Sequence, residues 1–319
     1  MPIDISVCIA NWNCRDLLRA CLQSLHDRPQ GVRLETVVVD NASADGAADM
    51  VAQSFPQVKL IRNSVNAGFA RANNQAAKIA RGRYLFFLNN DTEVPAGALS
   101  KLLTFAEQRT DAGIIGPRLR EPDGKIQISH RCTPSVPVLL HRSSLLRWTG
   151  LFRKAHRLYR RGSVEHTEPQ RVDVLMGAAM LIPRDVYDEV GGWDENFVFG
   201  GEDMDLSIRV GKNHPVLYYP GAEILHHGSV STRLHTRFSS TNIPCGFVRY
   251  LRKAGTTEFA IFIYKLVLTL DAPIQIAVKT LQALFRRLRG HRADAQRSWL
   301  VARALAQFII FGMPRLWRA

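Results

Sequence analysis

Acidic residues are scarce in this chain. In 319 residues, 28 Asp and Glu stand against 42 Lys and Arg, a formal net charge of +14. Cysteine is scarce too. Cys8, Cys14, Cys21, Cys132 and Cys245 show no metal-type spacing, and an odd set of scattered cysteines argues against a disulfide framework. The opening segment ISVCIA has no basic region before it and no cleavage site after it, so no signal peptide is expected and the thiols are expected to be free in a reducing compartment. No run reaches the roughly 18 uninterrupted apolar residues of a spanning helix. The best candidate, FAIFIYKLVLTLDAPIQIAV, is interrupted by Lys265, Asp271 and Pro273, so no transmembrane segment is expected. Internal repeats and low-complexity tracts are also missing, which sets aside repeat arrays and linker-like chains.

Apolar residues are plentiful. A hydrophobic share of 46% supports a packed core and excludes a disordered chain. The charge is unevenly placed. Residues 1–117 balance at +1, residues 118–171 at +8, residues 172–231 at −7 and residues 232–319 at +12. An acidic island between basic segments points to chemistry or cation binding in the island and an anionic surface for its flanks. The basic residues lie away from the candidate site and lack an interleaved aromatic platform, so nucleic acid is not an expected partner.

Strands and helices alternate through the first part. The segments 5–10, 34–40, 58–62 and RYLFFLN read as strands, and 15–27, 45–54, 69–80 and 95–109 as helices. Nearly continuous apolar strands separated by helices predict a parallel sheet covered on both faces. In such sheets ligands bind beyond the carboxyl ends of the strands. RLREPDGKIQISHR predicts a hairpin around Asp123-Gly124, followed by a basic, loop-rich stretch. Order resumes with VDVLMGAAMLIP as a strand, a helix near 184–190, a helix starting at GGEDMDLSIR and the strand VLYYP. From about 246 to 313 the pattern is helical, apolar and Arg-rich.

The strand ends carry the chemistry. Strand one ends in Asn11-Trp12-Asn13, strand two in Asp40-Asn41 and strand four in Asn89-Asn90-Asp91. Turn initiation or helix capping explains any one of these clusters. Three at one sheet edge would build a polar crevice. Asp91 is a hard oxygen ligand suited to Mg²⁺ or Mn²⁺ bridging two phosphates, a site that needs few protein donors. In GGEDMDLSIR, Asp205 and Arg209 read as an ordinary i,i+4 pair. Glu202 and Asp203 follow two glycines that permit close approach, and a carboxylate there suits a general base. LHHGSVS offers a histidine to complete a metal site.

These stretches resemble the family-2 glycosyltransferases with the GT-A fold, especially the bacterial branch that includes rhamnosyltransferases. The matching segments are SVCIANWN, VVVDNASADG, NAGFARANN, GRYLFFLNNDTEV, MGAAMLIPRDVYDEVGGWDENFVFGGEDMDLSIR and LHHGSVS, in order over about residues 4–232. The resemblance implies an α/β nucleotide-binding sheet, mostly parallel, with a donor half at 1–117 and an acceptor-binding half at 118–232. The amphipathic, basic region 233–319 lies beyond it. The resemblance also implies that Asp40 reads the pyrimidine base, with Asn11 and Trp12 lining its pocket. Gly68, Phe69 and Asn73 would pack beside the donor, with Asn89 and Asn90 in the nucleotide site. Asp91 and His226 would hold the metal, and Asn89 replaces the first Asp of the family's D-x-D motif. Asp203 would be the catalytic base, with Gly177, Trp193 and Glu202 on the acceptor side.

The implied reaction is inverting transfer of a sugar such as rhamnose from a dTDP- or UDP-sugar. The acceptor would be a hydroxyl of a glycan or polyprenyl-linked molecule in cell-surface polysaccharide synthesis, and Mn²⁺ or Mg²⁺ the cofactor. The alternatives are a weakened nucleotide-sugar binding protein of the same fold and a sugar-nucleotide pyrophosphorylase. The latter would want a Gly- and Arg-rich phosphate loop where this chain has NWNCRD. KTLQALFRRLRGHR predicts either packed helices with a solvated face or attachment to an anionic membrane, which would place the protein in the cytoplasm at the inner face of the cell membrane.

Overall fold

The computed structural model of this protein describes residues 2–141, 143–161, 166–228 and 236–319. The last three residues of LHHGSVS and the expected boundary at 232/233 lie outside them. The chain forms two compact units. One comprises residues 1–133, 162–198 and 202–231, and the other comprises 134–161, 199–201 and 232–319.

The first unit is built on a ten-stranded sheet. Strands β1 (Ile5–Asn11), β2 (Leu34–Asn41), β3 (Lys59–Asn63) and β4 (Tyr84–Leu88) form its parallel half, in the order β3-β2-β1-β4. β5 (Thr92–Glu93) and β6 (Ile114–Arg120) follow in sequence. β6 turns at Gly124 (φ +83°) into β7 (Ile126–Gln127), the hairpin its sequence predicts. Beyond β4 the sheet continues with β11 (Ala179–Pro183), antiparallel to β4, then β6, then β12 (Val216–His226), parallel to β6, with β9 (Gln170–Arg171) pairing antiparallel to β12.

β4 shows why this half is covered on both faces. Phe86 and Leu88 pack into one core with Leu18 and Leu22 of helix α1 (Arg15–His26) and Leu99 and Leu102 of the Ala98–Gln108 helix. Leu85 and Phe87 pack into the other core, with the alanines of the Phe69–Ile79 helix and with Leu206 and Val210 of the Glu202–Val210 helix. Side chains alternate across a strand, so one apolar run serves two cores. Each such fully buried side chain contributes about 1.5–3 kcal/mol.

VDVLMGAAMLIP does not form one strand. It splits into β10 (Val174–Leu175), which pairs with β8 (His130–Arg131) in a separate two-stranded sheet, and β11 in the main sheet. The break falls at Met176-Gly177-Ala178. Apolar content alone cannot register a change of sheet.

The second unit is helical. Its 134–161 portion, expected to be loop-rich, carries the short helices Val136–His141, Ser144–Thr149 and Arg153–Arg161. Val138, Leu139 and Leu140 are buried, and the Tyr250 hydroxyl donates to the Pro134 carbonyl at 3.0 Å. Lys265, Asp271 and Pro273 interrupt the apolar run but not the helix, in keeping with the helical pattern expected from about 246 to 313. One helix of 31 residues runs from Glu258 to Leu288. Asp271 and Lys265 are turned inward, 1% and 7% exposed, and Asp271 accepts from Gln275 one turn on. A Gly290 turn leads into the Arg292–Gln307 helix, which closes an antiparallel hairpin with Glu258–Leu288. By length and composition both Glu258–Leu288 and the 27-residue stretch Arg292–Arg318 could cross a membrane. They qualify although charged residues interrupt their apolar runs, as the sequence shows.

Candidate active site

Three parallel strand ends meet in one hydrogen-bond chain. The register of β1 against β2 sets Asn11 beside Asp40. Asn11 Nδ2 donates to Asp40 Oδ1 at 3.0 Å, and Asn90 Nδ2 donates to Asn11 Oδ1 at 2.7 Å. The second oxygen of Asp40 accepts from the Ser43 amide at 3.0 Å. All three side chains are buried, so the carboxylate is fixed in orientation by its partners. Trp12 is half-buried immediately beyond Asn11.

Asp91 follows directly. β5 pairs antiparallel with the end of β12, His226 opposite Thr92, and the His227 amide donates to the Asp91 carbonyl at 2.9 Å. This pairing brings the side chains of Asp91 and His226 together. His226 Nε2 lies 3.3 Å from Asp91 Oδ1, with both side chains about 95% buried. The contact is within ion-pair distance, yet Nε2 makes no hydrogen bond. At the other side of the ring, Nδ1 meets Gln127 Oε1 at 2.6 Å. A carbonyl oxygen only accepts, so Nδ1 is the donor in this contact and Nε2 is the ring nitrogen that faces the carboxylate. An orphaned, buried imidazole nitrogen beside a buried carboxylate fits a divalent cation. Among the described residues no group of three or more His, Cys, Asp or Glu could hold a metal. The protein thus offers a two-residue donor set, as suits a cation whose other ligands are phosphate oxygens and water.

The third cluster surrounds Asp203. Asn89 at the tip of β4 donates its amide to the Ala178 carbonyl at 2.9 Å, which places the Met176-Gly177-Ala178 break beside the strand end. A Cβ on Gly177 would lie 3.5 Å from Asp203 Cβ and 3.9 Å from the Phe69 ring, so the glycine keeps that space open. Asp203 Oδ2 accepts from Arg131 Nη2 at 2.7 Å, and Oδ1 accepts from the Met204 amide at 2.9 Å. The pairing of β8 with β10 and the packing of Glu202–Val210 on β10 carry Arg131 to this position. Glu202 is half-buried one residue earlier, and Asp205 pairs with Arg209 at 2.8 Å as their spacing predicts.

Gly68 is required by its backbone. Its φ is +88°, and a Cβ there would meet the Val198 carbonyl at 2.9 Å. Its own carbonyl accepts from Asn41 at 3.2 Å. Asn73 is buried and donates to the Phe69 carbonyl at 3.1 Å, which anchors the first turn of its helix. Trp193 is 2% exposed and packs edge-on against Phe69 and Phe87, with ring centroids 5.4 and 5.3 Å away. It packs behind Phe69 and reaches the site through that ring. Sequence reasoning missed Gln127 and Arg131. Both lie in two-residue strands that carry no periodic signal, and the only cue to them was the predicted hairpin.

Residues 6–190 match the profile of glycosyl transferase family 2. The chain is 32% identical over 228 residues to the N-acetylglucosaminyl-diphospho-decaprenol L-rhamnosyltransferase of Mycobacterium tuberculosis, covering 67% of this chain and 71% of that protein. Its fold is similar to the mannosyltransferase of Pyrobaculum calidifontis solved with GDP-Man and Mn²⁺. That match has a TM-score of 0.55 and 15% identity, over 98% of this chain and 88% of that one. It is also similar to GalNAc-T7 solved with UDP, GalNAc and Mn²⁺, with a TM-score of 0.53 and 19% identity, over 70% of this chain and 44% of that one.

Proposed function

Because this chain belongs to glycosyl transferase family 2, we propose that it moves a sugar, with inversion, from a dTDP- or UDP-sugar to a hydroxyl of a polyprenyl-diphosphate-linked acceptor. The observation that carries this reading is the continuity of the Asp40–Asn11–Asn90 chain with the Asp91–His226 pair at one sheet edge. Asp40 accepts from the pyrimidine N–H, and Asn11 and Asn90 hold its carboxylate in place. Asp91 and His226 would hold Mn²⁺ or Mg²⁺, which when bound supplies Lewis-acid stabilisation of the departing diphosphate.

Asp203 takes the proton of the acceptor hydroxyl, whose oxygen forms the new bond to the sugar C1 as the bond to the nucleoside diphosphate breaks. Arg131 and the Met204 amide aim the carboxylate, each leaving a lone pair on the oxygen it binds. With leaving-group assistance from elsewhere, one carboxylate suffices where a glycosidase uses two. The mycobacterial relative is named for a rhamnosyl group and a diphospho-decaprenol acceptor, which supports the same two classes here. A thermal-shift series of nucleoside diphosphate sugars with and without Mn²⁺ tests the donor assignment. The expected result is metal-dependent stabilisation by pyrimidine donors, and none by any donor would overturn it.

Gln127 is given a positioning role on His226. Gln127→Leu is expected to weaken Mn²⁺ binding in the presence of UDP by about 10–100-fold, the usual cost of losing a ligand's outer partner. Electron paramagnetic resonance of free Mn²⁺ reads this directly, and unchanged binding would remove the role.

The acceptor class implies a membrane, and the second unit suits one. On the Glu258–Leu288 helix, Leu281, Leu284, Phe285 and Leu288 form an exposed i, i+3, i+4, i+7 stripe, with Leu288 87% exposed. Arg286, Arg287, Arg289 and Arg292 surround the hairpin turn. A hairpin crossing the bilayer would carry these charges across it, so we place it along the anionic cytoplasmic surface. Binding to anionic vesicles should weaken with salt but persist in part, because the apolar contribution is unscreened. Flotation with neutral and anionic vesicles tests this, and equal, salt-insensitive partitioning to both contradicts it.

A further inference from the structure

Between the two helices of the C-terminal hairpin lies a cavity of about 710 Å³. Its floor is made by Ala283 and Ala295, buried small residues facing each other across the hairpin. Arg287 and Arg292 stand at its turn end, and Leu284 and Trp299 form apolar walls, each 55% exposed. The neighbouring arginines are engaged otherwise. Arg286 donates to the Asp294 carbonyl and, at 3.0 Å, to Ser298 Oγ, which clamps the hairpin. Arg289 lies over the Phe285 ring, 4.1 Å from its centroid. No carboxylate lies within ion-pair distance of Arg287 or Arg292 among the described residues, and no acid lines the cavity.

We propose that this cavity is a binding site for the phosphate headgroup of an anionic membrane phospholipid. The inference rests on the membrane reading above and adds a discrete site to it. Two guanidiniums at one end of a concave surface match the charge and geometry of a phosphodiester. The leucine and indole walls match the glycerol and the first methylenes of the acyl chains, and an exposed tryptophan beside arginine suits the interface between headgroup and hydrocarbon. The exposed stripe Leu281, Leu284, Phe285 and Leu288 continues the apolar wall beyond the cavity, so a lipid seated there remains in its leaflet. A diffuse basic face would need only net charge. This arrangement makes binding depend on which arginines are present.

The test compares two double variants of the full chain that remove equal charge from the hairpin. Arg287→Ala with Arg292→Ala strips the cavity, whereas Arg297→Ala with Arg303→Ala removes exposed arginines outside it. Binding is measured to vesicles of equal phosphatidylcholine and phosphatidylglycerol, with circular dichroism melts confirming both variants are folded. General attraction of roughly 1 kcal/mol for each basic residue falls on both variants, so the cavity variant is expected to lose about tenfold more affinity than the control, from its lost charged hydrogen bonds to the phosphate. Quenching by brominated lipid should fall in Trp299→Phe. Equal loss in both double variants would overturn the site and leave the membrane reading standing. Failure of the wild-type chain to bind these vesicles would overturn both. Displacement from vesicles by millimolar glycerol phosphate would overturn the lipid assignment, leaving a soluble-anion site.

Discussion

Asp203→Asn is expected to lower sugar transfer by about 10²–10⁴-fold, the range of a positioned general base, while leaving donor affinity unchanged. The substitution is nearly isosteric. The amide oxygen can accept from Arg131 or from the Met204 amide but not from both, so a melting curve accompanies the assay to show that the variant is folded and the loss falls on the turnover step. Single-turnover transfer measured alongside calorimetric donor binding separates the two. Transfer near the wild-type rate would remove Asp203 from this role and make Glu202, one residue earlier and half-buried, the next group to test.

Asp91→Ala is expected to reduce the affinity for UDP or dTDP in Mn²⁺ to the level seen in EDTA. Asp91 is the carboxylate of the proposed metal-holding pair, and His226 alone would hold a cation weakly. Deleting a buried carboxylate also leaves the His226 ring without its facing group, so a melting curve should accompany the titration. Metal-dependent affinity equal to that of the wild type would contradict the assignment.

The tip of β4 was legible from sequence because a continuous apolar strand followed by Asn-Asn-Asp leaves little choice of direction. The two-faced sheet was legible for a similar reason, since strands buried on both faces are apolar at every position. The family resemblance implied that Asp91 and His226 work together, but the register that joins them was not legible. It is the antiparallel pairing of β5 on β12, two segments far apart in sequence, one of them two residues long. Gln127 and Arg131 were hidden for the same reason, because strands that short have no period to read. The burial of Trp193 was not legible, because it sits in a turn-rich segment with no periodicity to read. The C-terminal helical pattern was legible in spite of Pro273, but that Lys265 and Asp271 turn inward along it was not.

The central claim is a single displacement run by one base at the edge of the sheet. Nuclear magnetic resonance of the glycosylated acceptor, formed from a donor of known anomeric configuration, tests it most directly. The account predicts a product whose anomeric centre is inverted relative to the donor, with one nucleoside diphosphate released for each sugar transferred. A retained configuration, or release of free sugar without acceptor product, would contradict it.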